Sequence, residues 1–174
     1  MKPLNVVHEV LWRAFCACAW FAALTFCVTV DEDSGDEVPL RKFPEKKYLW
    51  EVFSRWFKDQ LIVIVKSRQI FMSWALLFLH LWFAMTKKYR NVFIQAQKLE
   101  GPSGSVELLD RIRGMYDRFP IWIKVRCPVT RDINDPPQMC LGNGSRIFAI
   151  PGGINQHRGI TISAIMLDEF AFQD

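Results

Sequence analysis

The run from Leu61 to Met85 constrains this chain most, because two strongly apolar blocks bracket a short polar one. Leu61 to Val65 is five apolar residues, four of them β-branched, and predicts a buried strand. Trp74 to Met85 is twelve residues interrupted only by His80, and predicts a helix buried on all sides. Strand, short polar turn and helix start is the geometry of a phosphate-binding loop, in which backbone N–H groups and the helix dipole hold an anion. The usual text of such a loop is G-x-x-x-x-G-K-[ST]. Aligned on Ser73, the chain has Lys66 at the first glycine, Phe71 at the second and Met72 at the lysine, so Ser73 alone fits.

A chain of 174 residues is long enough for one domain with a real core. Apolar residues at 51% and charged ones at 23% are ordinary for a globular protein, and seven Trp favour a packed interior over disorder. A net charge of +4 is too mild to argue by itself for a nucleic-acid partner. The five cysteines, Cys16, Cys18, Cys27, Cys127 and Cys140, contain no pair at zinc-ligand spacing. Their odd number points to reduced thiols.

Ala14 to Val30 is seventeen residues without a charge. It reads either as a short membrane anchor or as a buried helix, Val10 to about Ala23, running into an extended Leu24 to Val30. It falls short of the roughly 20 residues a membrane span needs. Asp31 to Glu37 carries five acids and reads as a solvated turn. A helix from about Glu45 to Lys58 follows from the helical spacing of Leu49, Val52, Phe53, Trp56 and Phe57. The basic cluster Lys87-Lys88-Tyr89-Arg90-Asn91 is a polar turn or, alternatively, a DNA contact.

Val92 to Ala96 is expected as a strand, Ser105 to Arg118 as a helix closed by Pro120, and Ile121 to Val125 as a further strand. Gln138 to Leu141 and Arg146 to Ile150 read as a hairpin around Asn143-Gly144. Thr161 to Leu167 is a last apolar strand, ending in Asp168-Glu169. The alternation of strands and helices argues α/β with a largely parallel sheet.

The acidic doublet and the polar turn can be two ends of one site. Side chains alternate along a strand, so Asp168 and Glu169 point in different directions. One can take a magnesium ion while the other polarises a water. An acidic pair can equally well just end a strand. Beside a polar turn that follows an earlier buried strand, the ligand reading gains, since open α/β sheets bind ligands at the carboxyl ends of their strands.

At these residues the chain resembles the ATPase domain of the large terminase subunit of tailed bacteriophages and their proviruses, the motor that packages DNA into the capsid. The matching blocks are K-S-R-Q-I-x-M-S-W at Lys66 to Trp74, F-I-Q-A-Q-K at Phe93 to Lys98 and R-F-P-I-W at Arg118 to Trp122. They continue with N-G-S-R-I-F-A-I-P at Asn143 to Pro151, R-G-I-T at Arg158 to Thr161 and I-M-L-D-E-F-A-F at Ile165 to Phe172. Order and spacing agree from about Phe43 onward. The resemblance implies a P-loop NTPase of the ASCE type, a three-layer sandwich, with residues 1–42 as a lead-in and 43–174 as the ATPase core.

The resemblance further implies a deviant loop whose lysine is Lys66, with Ser67, Arg68, Gln69, Ile70, Phe71, Met72 and Ser73 around the nucleotide. Arg68 would be the arginine finger, Ser73 and Asp168 the holders of Mg²⁺, and Glu169 the residue that activates water for ATP hydrolysis. Implied partners are double-stranded DNA, a portal protein, a small terminase subunit and further copies in a ring, at work in the host cytoplasm. Two departures stand out. Phe71 occupies a position that is usually glycine, which is expected to obstruct phosphate or to force positive φ onto a bulky residue. In the family a coupling strand and a nuclease domain follow the acidic doublet, so the chain is expected to be an N-terminal piece with a gap in its sheet. The rival expectations are a nucleotide-binding remnant without turnover and a membrane-anchored protein.

Overall fold

The computed structural model describes residues 6–30, 40–65, 71–101, 103–153 and 159–168. Its centre is α4 (Met72–Thr86), the helix expected from the second apolar block, and ten of its fifteen residues are buried. Leu77, Phe78, Leu79 and Leu81 have no exposed surface, and each such side chain contributes about 1.5–3 kcal/mol through burial. A helix that is apolar all round must be enclosed. Here α1 (Val6–Ala17), α2 (Ala19–Phe26) and α3 (Lys47–Trp56) form one side of the enclosure, and α5 (Ser105–Asp117) and the sheet form the other.

The sheet has five strands in the order β4 (Val129–Asn134), β5 (Pro137–Leu141), β6 (Arg146–Pro151), β3 (Asn91–Ala96), β7 (Ala164–Leu167). β6, β3 and β7 are parallel to one another, and the β4–β5 hairpin extends the sheet antiparallel. Register puts Ile94, Ala149 and Met166 side by side on the face that α4 and α5 cover. Phe93 and Phe148 stack on the other face, with ring centroids 4.8 Å apart. A short separate ribbon pairs β1 (Val28–Val30) with β2 (Leu40–Lys42).

The architecture is therefore mixed α/β, with a parallel central part flanked by helices, as expected. Three elements differ from the sequence reading. Leu61 to Val65 is not a buried strand: it pairs with no described strand, and Leu61, Val63 and Val65 are 80%, 79% and 97% exposed. Ile62 and Ile64 are half-buried, so the two-residue period of a strand survives without a ladder. The N-terminal helix is two helices, broken at Cys18, whose φ of −141° ends α1 and whose Sγ accepts the Phe21 N–H.

The third difference is Ile121 to Val125, which lies in a helix, α6 (Ile121–Arg126). Its β-like alternation loses to one-sided packing. Ile123 and Cys127 are buried, Ile121 and Val125 are exposed, and Trp122 and Arg126 turn together toward α1. Arg126 donates to Glu9 at 2.8 Å and lies over the Trp12 and Trp122 rings, while Trp122 stacks on His8. Glu9 is accordingly held below the usual carboxylate range, chiefly by that Arg126 hydrogen bond.

One side chain fixes the far end of α4. Asn143, in the β5–β6 turn, donates from Nδ2 to the carbonyls of Ala84, Met85 and Lys87 at 2.7, 3.0 and 3.0 Å. Its Oδ1 accepts the Ser145 N–H, and Ser145 Oγ donates to Lys87 O. Helix-terminal carbonyls left without donors in a buried setting are costly. Asn143→Ala is expected to lower stability by about 2 kcal/mol, roughly 4–8 °C in Tm for a chain of this size. Asn143→Asp should cost more, since it brings a carboxylate against the same carbonyls. Thermal unfolding of the two variants checks both values.

Candidate functional site

The directions of α4 and the parallel strands bring two expected ligands to the same end of the molecule. The C-terminus of α4 is held by Asn143 and Ser145, immediately before β6 begins, and the Arg90 N–H, immediately before β3 begins, donates to Ser145 Oγ. α4 thus runs antiparallel to β6, β3 and β7, and its first turn lies at their carboxyl ends. His80 of α4 faces the Ile165 backbone of β7. From that level Ser73 is seven helical residues up, about 10 Å at 1.5 Å each. Asp168 is three strand residues up, also about 10 Å. Ser73, in the first turn of α4, and Asp168, just past β7, therefore both lie toward the carboxyl ends of the parallel strands.

Asp168 is half-buried, and its N–H donates to the Gln95 carbonyl of β3 at 2.9 Å, which fixes the backbone just past β7. Gly152 closes the same end: a Cβ added there would come within 3.4 Å of the Gln97 carbonyl, so the turn after β6 lies close over the end of β3. Phe71 is the N-cap of α4 with φ 63° and ψ 8°, the left-handed region, and its side chain caps no N–H of the first turn. The positive φ expected at this non-glycine position is what the structure has. The Phe71 ring packs edge-on to Phe43 at 5.6 Å and near Trp74 at 6.3 Å. Met72 is 5% exposed and belongs to the core, so its side chain is turned away from the helix terminus.

Lys66, Ser67, Arg68, Gln69, Ile70 and Glu169 lie outside the described residues. Ser73 and Asp168 supply oxygen donors, which suit a hard cation such as Mg²⁺. Among the described residues no group of three or more His, Cys, Asp or Glu comes together to hold a metal ion. A surface groove of about 410 Å³ lies elsewhere, along α3 between Lys47, Trp50, Arg55 and Asp59. α3 and the turn that follows it supply its walls, and Arg55 is paired there with Glu51 and Asp59.

Sequence reasoning passed over two residues at or near this end. Arg111 of α5 lies 5.4 Å over the ring of Trp74 and pairs with Glu107 at 2.7 Å. Gln95 is 5% exposed and anchors Asp168 through its carbonyl. Their helical and strand patterns mark them only as positions on a face, since a cross-element contact leaves no local signal. Two of the cysteines, Cys27 and Cys127, are buried thiols. Burial pushes Cys127 up to about 11 and raises Cys27 further, which keeps both protonated and inert.

No protein-family model matches this chain, and no curated protein matches it. No described helix is long and apolar enough to cross a membrane.

The strain at Phe71 is measurable. A non-glycine residue in the left-handed region costs about 1–2 kcal/mol. Phe71→Gly removes that cost along with the ring packing, whereas Phe71→Ala removes the packing alone. The glycine variant is therefore expected to be more stable than the alanine variant by about 1 kcal/mol, read from urea midpoints.

Proposed function

We propose that this chain is the nucleotide-binding ATPase core of a DNA-packaging motor of the large-terminase kind. The observation that carries the reading is the course of α4 against the parallel strands, which puts the first turn of α4, with Ser73, and the backbone just past β7, with Asp168, toward the same end of the sheet. Two residues nearly a hundred positions apart, each chosen for magnesium on the text around it, belong to the same end of the sheet. The ordered text blocks from Lys66 to Phe172 support the same reading.

In this reading Ser73 and Asp168 would hold Mg²⁺, whose charge offsets that of the triphosphate. The first turn of α4 offers N–H groups and the positive end of the helix dipole to phosphate. Lys66 would meet the same phosphates as a point charge, with Ser67, Gln69 and Ile70 along the loop. Arg68 would stabilise charge on the transferred phosphoryl group, and Glu169 would accept a proton from the attacking water. Double-stranded DNA, a portal ring, a small subunit and further copies in a ring are the partners this motor would work with, in the host cytoplasm. The finer architecture in this reading is the three-layer ASCE sandwich.

A second reading has its own observation. The Phe71 ring sits at the N-cap, where phosphate would approach, and Leu61 to Val65 enters that turn without a sheet partner among the described residues. These features favour a nucleotide-binding remnant without turnover.

Calorimetric titration with ATP and Mg²⁺, paired with a phosphate-release assay, separates the two readings. The motor reading expects binding, with turnover that falls at least 100-fold in Glu169→Gln while binding persists. It also expects Asp168→Asn to weaken Mg²⁺-dependent binding. Binding with no turnover in the parent chain selects the remnant, and absence of ATP binding ends both.

A further inference from the structure

Of the five asparagines in the chain, Asn143 alone is followed by glycine. In Asn-Gly the side chain is most open to attack by the next backbone nitrogen, because glycine has no Cβ to shield that nitrogen. The reaction needs only water. The Gly144 nitrogen gives its proton to a solvent base and bonds to Cγ of Asn143, the Cγ–Nδ2 bond breaks, and Nδ2 leaves as ammonia. Water then opens the cyclic imide at either of its carbonyls. Opening at Cγ leaves aspartate in a normal backbone. Opening at the main-chain carbonyl leaves isoaspartate, with the backbone rerouted through Cβ and Cγ.

The fold calls for both residues of this reactive pair. Gly144 has φ +83°, and a Cβ added there would come within 2.5 Å of the Tyr89 ring. Asn143 uses one carboxamide both as donor to the Ala84, Met85 and Lys87 carbonyls and as acceptor from the Ser145 N–H, which no carboxylate can do. The pair also sits on an open turn: Gly144 is exposed and Asn143 half-buried. Water is at hand, so geometry has to hold the reaction back.

The closed turn opposes each step. The Gly144 N–H donates to the Leu141 carbonyl at 3.0 Å, so the nucleophile keeps its proton. The leaving nitrogen, Nδ2, is held by three carbonyls at 2.7, 3.0 and 3.0 Å. Oδ1 accepts the Ser145 N–H at 3.0 Å, which stops the carboxamide from turning Cγ onto the Gly144 nitrogen. The Tyr89 N–H donates to the Asn143 carbonyl at 3.3 Å and steadies the backbone of the same residue.

We propose that Asn143-Gly144 is a self-modification site gated by the fold: the closed clasp preserves the asparagine, and each opening at the C-terminus of α4 exposes it to conversion into aspartate or isoaspartate, after which the clasp does not close again. The product has lost the Nδ2 donors. It sets a carboxylate against three carbonyls at the helix end that already carries partial negative charge. Isoaspartate also lengthens the turn between β5 and β6 by one backbone atom, which displaces Ser145 from Lys87 and Arg90. Opening is thereby written irreversibly into the covalent chain.

The test is peptide mapping by mass spectrometry with an isoaspartate assay. The full chain is held folded in buffer or unfolded in guanidinium chloride, at the same neutral pH and temperature. In the unfolded chain Asn143 should convert faster than Asn91 and Asn134, which precede Val92 and Asp135. In the folded chain its conversion should slow by about tenfold or more, since only open copies react. The converted fraction, separated by ion exchange, should melt below the parent chain. Slowing by less than that overturns the gate. An unfolded chain in which Asn143 converts no faster than the other two overturns the site, and a converted fraction that melts with the parent overturns the claim that the clasp stays open.

Discussion

A helix without a polar face cannot lie on a surface, and everything else in this molecule is arranged around that constraint. α4 must be walled in on every side, so a two-helix N-terminal segment, α3, α5 and the sheet all converge on it. Aromatic rings do much of the filling. Phe78 meets Phe43, Phe53 and Phe119 within 6.4 Å, and Trp82 reaches across to the Phe15 carbonyl. The polar obligations left by such a helix fall at its ends. Its C-terminal carbonyls are met by a side chain from a distant turn. Its N-terminus is closed by a phenylalanine in the left-handed region with no capping side chain. A helix enclosed so completely has its C-terminal end locked by Asn143, while its first turn lies toward the carboxyl ends of the parallel strands.

Much of this was legible in the residues. α4, α3, α5, β3 and the β5–β6 hairpin announce themselves by period, length and turn chemistry, and each forms close to where those signals put it. What misled was context. Leu61 to Val65 has every local mark of a buried strand, but burial between neighbours is supplied by other strands, and none of those described pairs with it. Ile121 to Val125 alternates like a strand, yet Arg126 and Trp122 gain a carboxylate and two rings by turning helical beside α1.

The candidate site was legible to a different degree. Ser73 and Asp168 were selected by the text around them, and the course of α4 against β7 explains why two such distant residues belong to one end of the fold. The strain at Phe71 was legible too, because a bulky residue at a turn into a helix has few ways to accommodate the chain. Arg111 and Gln95 were not, since the contacts that give them interest are made across elements.

The Asn143 lock has a consequence for how the chain is made. Its donor follows the last carbonyls of α4 by 56 to 59 residues. At synthesis rates of about 5–20 residues per second, that is a delay of roughly 3–12 s. For those seconds the most water-averse segment of the molecule has left the ribosome with neither its clasp nor β6 to lie against. A newborn chain of this design is most exposed to sticking midway through its own translation, and a holding chaperone would meet it there.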